Sequence, residues 1–273
     1  MTAQLPGAEL TKNGPGLVRS TIAVWKDRLI WTSPAHETDK SARPAVVLLI
    51  AATGRIRVGI GSRSFQGRAF VVGSDVTRTL KAEGGVYSLH LDPVHRMSRH
   101  LRDGLLRGCE MVDLSDAVSP ALGECVARAV ERPESCADSY RTSEIVLNTL
   151  FPHLVGVEPI DPRADMAATW LRLHLPSKLD RAELAALCGL SPGRMSHLMT
   201  QELGLSPRRY LLWVKMRRAG ELFLRNIPLT AVAHEIGFSD SAHLSRVFKN
   251  YFGLTPSFLA NSRLVSLRFC DKS

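Results

Sequence analysis

Short apolar segments separated by turn-forming residues occupy the stretch from Ser20 to Asp92. STIAVW, RLIWTS, AVVLLIAA, RIRVGIG, AFVVGS, VTRTL and VYSLHL are rich in Val, Ile, Leu and aromatic residues. Gly, Pro, Asp and Ser separate them, which is typical of β-strands joined by tight turns. The pattern predicts a small antiparallel barrel or sandwich.

The apolar positions change to a helical period between Val94 and about Val155. Ala121, Leu122, Val126 and Val130 fall on one helix face, and Ile145, Val146, Thr149 and Leu150 fall on another. After them, GVEPIDPRAD at residues 156–165 interrupts the apolar pattern with glycine, prolines and acidic side chains. We therefore predict an α+β chain with two domains, residues 1–158 and residues 159–273.

The second predicted domain contains nearly the same pattern twice, at residues 183–207 and 232–256. Gly189 recurs as Gly237 and Ser191 recurs as Ser239, and apolar positions recur with them. Each glycine follows a short apolar helix, where a sharp turn through positive φ costs glycine little. Each serine can accept a hydrogen bond at the start of the next helix. The pattern predicts two helix-turn-helix units.

The outer face of the second helix in each unit carries side chains suited to a DNA groove. Arginine can pair with guanine, lysine can bind a phosphate, and small polar groups let the helix approach closely. In the first unit the predicted DNA-contacting residues are Gly193, Arg194, Ser196, His197 and Thr200, and in the second they are Ser241, Ala242, His243, Ser245, Arg246 and Lys249. Leu244, Val247, Phe248 and Phe252 form the predicted inner face of the second helix, and Leu184, Leu187 and Cys188 form the packing side of the helix before Gly189.

A longer helix is predicted between the two units, beginning at Ser206 and Pro207. Its predicted apolar face consists of Tyr210, Leu211, Val214, Ala219, Leu222 and Phe223. About 18 helical residues give a rod of about 27 Å, close to the pitch of B-DNA at ~34 Å. One chain can therefore place its two recognition helices in successive major grooves of one duplex.

These residues resemble the AraC/XylS family of transcriptional regulators. GFSDSAHLSRVFKNYFGLTP, from Gly237 to Pro256, follows the family signature almost position for position, and the resemblance extends from Asp165 to about Arg263. Met199 and Thr200 depart from it, where the family usually has Phe and a basic residue. SFLANS, which follows Pro256, also lacks the usual Tyr-Arg.

The resemblance implies a cupin-like β-barrel with appended helices at residues 1–158 and a double helix-turn-helix domain at residues 159–273. It further implies a regulator that binds promoter DNA, is controlled by a small effector, forms a homodimer and contacts RNA polymerase, without catalytic activity or a cofactor. Two alternatives remain open. One is a cupin-like enzyme with a DNA-binding tail, and the other is a constitutive DNA-binding factor whose N-terminal domain only dimerises.

Charge and composition agree with this division. Residues 161–273 carry 16 Lys and Arg against 9 Asp and Glu, whereas residues 1–160 carry 19 against 17. A basic excess attracts phosphates, although RNA or an anionic membrane would also suit it. The sequence lacks an 18-residue apolar stretch and a signal-peptide pattern, so we expect a cytoplasmic protein. The five cysteines lack paired spacing, and we expect reduced thiols.

Candidate effector contacts lie in the predicted barrel. Metal-dependent cupins need several His and a Glu around one ion, whereas this region offers His36 with Glu37 and a distant His90, so we expect no bound metal. His36 is predicted in a loop at the barrel mouth. Arg55 and Arg57 share one face of a strand, which fits either a solvated outer face or an anion-binding rim. We take His36, Arg55 and Arg57 as the candidate effector site.

Overall fold

A computed structural model describes residues 19–175, 178–223, 225, 227–259 and 265–270 of the 273-residue chain. In these ranges the strands are β1 (Ser20–Val24), β2 (Arg28–Ser33), β3 (His36–Ser41), β4 (Val46–Ala51), β5 (Ile56–Ile60), β6 (Arg63–Gly67), β7 (Ala69–Val72), β8 (Arg78–Ala82), β9 (Val86–Leu91), β10 (Met111–Asp113) and β11 (Val265–Phe269). The helices are α1 (Arg96–Asp103), α2 (Pro120–Glu131), α3 (Cys136–Leu150), α4 (Pro162–His174), α5 (Arg181–Leu187), α6 (Pro192–Leu203), α7 (Pro207–Phe223), α8 (Leu229–Glu235), α9 (Ser241–Phe252) and α10 (Pro256–Leu259).

The strands form two sheets. The larger sheet has the order β10-β7-β4-β9-β2-β1-β11, and the smaller has the order β3-β8-β5-β6. Pairing is antiparallel except between β1 and β11, which run parallel. The predicted α+β fold class is confirmed, but the two sheets of the described residues do not join into one closed barrel. The apolar segments predicted β1, β2, β4, β5, β7, β8 and β9, and missed the more polar or shorter β3, β6, β10 and β11.

Successive side chains of the larger sheet point to opposite faces, and both faces are apolar. Helices α1, α2 and α3, the smaller sheet and the C-terminal helices therefore all pack on this sheet. On β9, Tyr87 and Leu89 belong to the core shared with α1, α2 and α3, whereas Val86 belongs to the core shared with the smaller sheet. Trp31 of β2 lies opposite Ser88 in the register and packs with the C-terminal helices. The smaller sheet and the C-terminal helices therefore cover different halves of the same face.

The helices α2 and α3 begin at serine caps. Ser119 accepts a hydrogen bond from the backbone of Leu122, and Ser135 accepts one from the backbone of Asp138. A buried arginine, Arg28 of β2, attaches α3 to the sheet by donating to Glu144 at 2.6 Å and to Ser143 at 2.7 Å. Helical structure in this segment agrees with the sequence pattern.

Polar contacts join the C-terminal helices to the N-terminal region of the chain. The buried carboxylate of Asp92 accepts from the Trp213 indole at 2.8 Å and pairs with Arg217 of α7 at 2.6 Å. Arg99 of α1 pairs with Glu202 of α6. These residues lie far apart in the sequence, so only the tertiary fold brings their side chains together.

The expectation of reduced thiols throughout is wrong for two cysteines. Cys136 at the start of α3 is disulfide-bonded to Cys270, which directly follows β11. The thiols of Cys109, Cys125 and Cys188 are free. Because β11 pairs with β1, it brings the last described residues of the chain beside α3, across a sequence separation of 134 residues. Sequence spacing alone contained no signal for this pairing, and it also links the end of the predicted second domain to the first.

Candidate DNA-binding surface

The second helix-turn-helix unit consists of α8, a turn at Gly237 and α9. Gly237 has a φ of +74°, in the left-handed region that favours glycine, as predicted. The N-cap of α9 is Asp240, whose carboxylate accepts a hydrogen bond from the His243 backbone at 2.6 Å, and not Ser239 as predicted. Ser239 instead donates to Asp240. A glycine in the left-handed region, Gly253, ends the helix.

The inner face of α9 holds the helix against α7. Leu244 and Phe248 are fully buried, and the Phe248 ring lies 5.2 Å from that of Phe223 in an edge-on contact. Val247 and Phe252 are only half-buried. The predicted DNA-contacting residues lie on the remaining surface: Ala242, His243 and Arg246 are exposed, while Ser241, Ser245 and Lys249 are half-buried.

Two basic residues of α9 differ in their surroundings. Lys249 forms an ion pair with Asp39 of β3 at 2.9 Å, so the N-terminal domain already engages this cation. Arg246 makes no side-chain hydrogen bond or ion pair within the described residues, and its side chain is exposed. Of the two, Arg246 is therefore the residue available to a new anionic partner in this arrangement.

The first unit consists of α5, a turn at Gly189 and α6. Ser191 caps α6 by accepting from the Arg194 backbone, and Gly189 has a φ of +63°, both as predicted. Pro192 is the first residue of the helix. The prediction that Leu187 packs inside is wrong, since it is 43% exposed, whereas Leu184 and Cys188 are buried.

On the outer face of α6, most of the predicted residues are accessible. Gly193, Arg194, His197 and Thr200 are exposed, and Ser196 is half-buried. The Thr200 hydroxyl donates to the carbonyl of Ser196 at 2.8 Å, which satisfies this side chain within its own helix. Arg194 is thus the cation that this helix presents to solvent.

A groove lies between the two recognition helices, and both contribute to its walls. Ser196 of α6 and His243 of α9 line the same groove, so the two predicted DNA-contacting faces open on one side of the domain. The lining in the described residues includes five cations and no carboxylate: Lys178, Arg181, Arg208, Arg209 and Lys215. Sequence reasoning missed these cations as candidates, although Arg208 and Arg209 stand at the start of the predicted linker helix.

The linker helix α7 sets the spacing of the two units. Its 17 residues match the predicted length, and Tyr210, Leu211, Val214, Ala219, Leu222 and Phe223 are buried as predicted. Arg172 of α4 donates to the Tyr210 hydroxyl at 2.8 Å, and burial raises the pKa of Tyr210. A helix anchored along its length in this way holds the two units at a fixed separation.

The structure does not bring the three candidate effector residues together. His36 lies in β3, not in a loop, and the register aligns it with buried Ala82 on the inner face of the smaller sheet. Arg57 aligns with Lys81 on the opposite face, and both Arg55 and Arg57 are exposed. The solvated outer face is therefore the reading that fits Arg55 and Arg57.

An apolar pocket that the sequence did not indicate lies between the larger sheet and the C-terminal helices. Its walls come from β1, β2 and β11 on one side and from α7, α9 and the residues up to α10 on the other. Arg43 borders it as a buried cation. The chain between β3 and β4, which carries Arg43, had no motif to mark it as a site residue.

Two other kinds of feature are absent from the described ranges. The His, Cys, Asp and Glu side chains there do not form a group of three or more that could hold a metal ion. Among the described helices, none is long and apolar enough to cross a membrane.

Comparison with known proteins identifies the domain that carries this surface. A family model described as a helix-turn-helix domain matches residues 184–262, which cover both units and α7. The arabinose operon regulatory protein of Escherichia coli (strain K12) is 34% identical over 122 residues, which are 43% of this chain and 39% of that protein. The C-terminal region of this chain therefore contains an AraC-type helix-turn-helix domain.

Other relatives extend the comparison of the AraC-type domain. The transcriptional activator RhaS of Enterobacter sp. (strain 638) is 30% identical over 115 residues, 41% of each chain. The chain thus matches about two fifths of the length of these curated relatives. The structure of ToxT from Vibrio cholerae strain SCE256, bound to an unsaturated fatty acid, is similar over 86% of this chain and 95% of its own, with a TM-score of 0.50 and 11% identity. This last likeness concerns the fold alone.

Proposed function

We propose that the protein is a transcriptional regulator that binds specific promoter DNA through its AraC-type domain. The observation that carries the proposal is the pair of recognition helices, α6 and α9, whose outer faces border one basic groove. Named transcriptional regulators among the relatives of this domain support it.

The two recognition helices would enter successive major grooves on one side of the duplex. Arg194 and Arg246 stand on their exposed faces, where a guanidinium can pair with guanine. The cations that line the groove between the helices suit the phosphates of the intervening backbone. Half-sites separated by about one helical turn, roughly 10 to 11 base pairs, would match this arrangement.

The N-terminal domain would supply control and assembly. ToxT shares the fold and has been solved with an unsaturated fatty acid, which supports a small effector for the related domain of this chain. The ion pairs of Arg99, Asp92 and Asp39 with α6, α7 and α9 connect the N-terminal region, where such an effector would bind, to the DNA-binding surface. Homodimerisation, contact with RNA polymerase, a cytoplasmic location and the absence of catalysis belong to the same proposal.

Selection of bound duplexes from a random library by the purified full-length protein tests the DNA-binding function. We expect enrichment of a motif with two half-sites at the spacing given above. The matched comparison is the double variant Arg194→Ala, Arg246→Ala, which should enrich no motif while keeping its fold by circular dichroism. If the wild-type protein enriches nothing beyond this variant, the proposal fails.

A further inference from the structure

A disulfide ties the end of the described chain to the helices that cover the larger sheet. The sulfur atoms of Cys136, the first residue of α3, and Cys270, the residue after β11, are bonded at 2.06 Å. The sequence between the two cysteines contains both helix-turn-helix units and α7. The bond therefore closes a loop that carries the whole candidate DNA-binding surface.

Apart from this bond, β11 is weakly attached. It lies at the edge of the larger sheet, and β1 is its one strand partner among the described residues. The pairing is parallel, which is slightly less stable per residue than antiparallel pairing, and four of the five β11 residues are only half-buried. Two further hydrogen bonds hold this segment, from the Arg268 guanidinium to the Glu134 carbonyl and from the Cys270 N–H to the Val24 carbonyl. A strand with so few contacts depends on its covalent tether.

The same strand packs with the C-terminal helices. Val265 is 2% exposed and belongs to one apolar cluster with Met216 of α7 and Phe248 of α9. Ile22 of β1 and Trp31 of β2 belong to that cluster as well. β11 therefore stabilises the junction of the larger sheet with α7 and α9, and its departure would loosen that junction.

In the arrangement that the disulfide closes, carboxylates of the N-terminal region pair with cations of the DNA-binding surface. The ammonium of Lys249 on α9 lies 2.9 Å from the carboxylate of Asp39. The guanidinium of Arg209 on α7, which lines the groove between the recognition helices, lies 2.6 Å from the carboxylate of Asp75. Asp39 and Asp75 compete with DNA phosphates for these two cations. A junction that keeps the four residues in place therefore lowers the affinity for DNA.

The chemistry of the bond is reversible thiol–disulfide exchange. Cys136 and Cys270 are both half-buried, so a small thiol or disulfide can approach them from solvent. Bond formation removes two protons and two electrons from the two thiols. A low-molecular-weight disulfide such as glutathione disulfide accepts them through a mixed disulfide and becomes two thiols, and excess thiol reverses the exchange. In a reducing compartment such as the cytoplasm, disulfides are usually transient and redox-sensing.

We propose that Cys136 and Cys270 are a redox modification site, oxidised by low-molecular-weight disulfides and reduced by thiols, and that their bond decides whether β11 stays on the larger sheet. In the oxidised form, β11 holds α7 and α9 against the sheet and keeps Asp39 and Asp75 on their cations. In the reduced form, β11 leaves the edge of β1, the junction loosens and the two cations become available to phosphates. The effect on DNA rests on the proposed function, whereas the redox site and the release of β11 stand on the disulfide and the strand contacts.

The first test measures the bond itself. The native full-length protein is equilibrated with mixtures that range from reduced glutathione alone to glutathione disulfide alone, free thiols are alkylated, and peptide mapping reports whether Cys136 and Cys270 are linked. We expect the linked form in excess glutathione disulfide and the unlinked form in excess glutathione, with full interconversion. A bond that stays closed in excess glutathione, or that does not form in excess glutathione disulfide, would overturn the proposal.

Hydrogen exchange in residues 265–270 measures the release of β11 without DNA. Amides of this segment should exchange roughly 10-fold faster, or more, in the reduced protein than in the oxidised protein. Cys136→Ser and Cys270→Ser cannot form the bond and should exchange like the reduced protein under both conditions. Cys125→Ser, at a free and half-buried cysteine of α2, is the matched control and should follow the wild type. Equal exchange in the two redox forms would show that packing alone holds β11, which contradicts the proposal.

Affinity for the selected duplex, measured by fluorescence anisotropy in each redox form, tests the regulatory consequence. Release of two exposed ion pairs is worth roughly 2- to 25-fold, so the reduced protein and Cys270→Ser should bind DNA more tightly by that factor. Equal or weaker binding by the reduced form would refute the regulatory role. Absence of DNA binding in both forms would instead remove the proposed function, and the peptide map and the exchange rates would still decide the redox site.

Discussion

Replacement of Arg246 by alanine is the most direct perturbation of the proposed DNA-binding surface. Arg246 is exposed on α9 and makes no side-chain contact that holds the described fold together. The inner face of the helix, Leu244 and Phe248, is buried independently of it. Arg246→Ala should therefore leave the melting temperature unchanged, and any loss of DNA affinity reports a contact with DNA.

The size of the loss depends on which part of the DNA Arg246 contacts. A bidentate pair with guanine is worth about 1 to 3 kcal/mol, which is about a 5- to 160-fold loss on the specific site and a relaxed preference at one base pair. A phosphate contact would weaken binding on all sequences and reduce the slope of log affinity against log salt by about one.

Fluorescence anisotropy with the selected duplex and with a scrambled duplex, each over a series of salt concentrations, separates the two cases. Arg63→Ala removes the same charge from an exposed position on β6, where the side chain pairs with Glu110, and should retain wild-type affinity. Wild-type affinity in Arg246→Ala, or an equal loss in Arg63→Ala, would refute the assignment of α9 as a reader of DNA.

Three further predictions concern the fold, the domain contact and assembly. Phe248→Ala should lower the free energy of unfolding by about 3 to 5 kcal/mol in chemical denaturation, because a ring only 1% exposed leaves a cavity, and a loss below 1 kcal/mol would contradict this packing. Asp39→Asn should release Lys249 and raise DNA affinity by at most about fivefold, since the pair is solvent-exposed, while Glu83→Gln, from the exposed Lys81–Glu83 pair, should change nothing. We expect the wild type to sediment as a dimer at micromolar concentration, with the interface in the segment from about Asp116 to Leu150. Ile145→Glu, at a side chain 49% exposed on α3, should sediment as a monomer. A monomeric wild type would contradict this interface.

Local interactions within a few residues were readable from the sequence. The left-handed glycines at 189 and 237, the Ser191 cap and the buried stripe of α7 all depend on residues one to four positions apart, and each was predicted correctly. The predicted N-cap of α9 was wrong because two neighbouring side chains can form the same capping hydrogen bond. Asp240 caps α9 instead of the neighbouring Ser239, because either side chain can accept the same backbone hydrogen bond.

Tertiary structure alone decided which distant groups meet. The parallel pairing of β11 with β1 joins Cys270 to Cys136, and no spacing rule in the sequence could foresee it. Strand register places His36 on the inner face and Arg57 on the outer face of the smaller sheet, and it brings Arg78 near Arg43, with no carboxylate from the described residues paired to either. The sequence determined the AraC-type domain, its two helix-turn-helix units and the length of the helix between them, because helices and turns depend on short-range interactions. The pocket beside the larger sheet and its buried charges come from long-range packing. There the free energy of burying each group depends on neighbours that only the folded chain supplies.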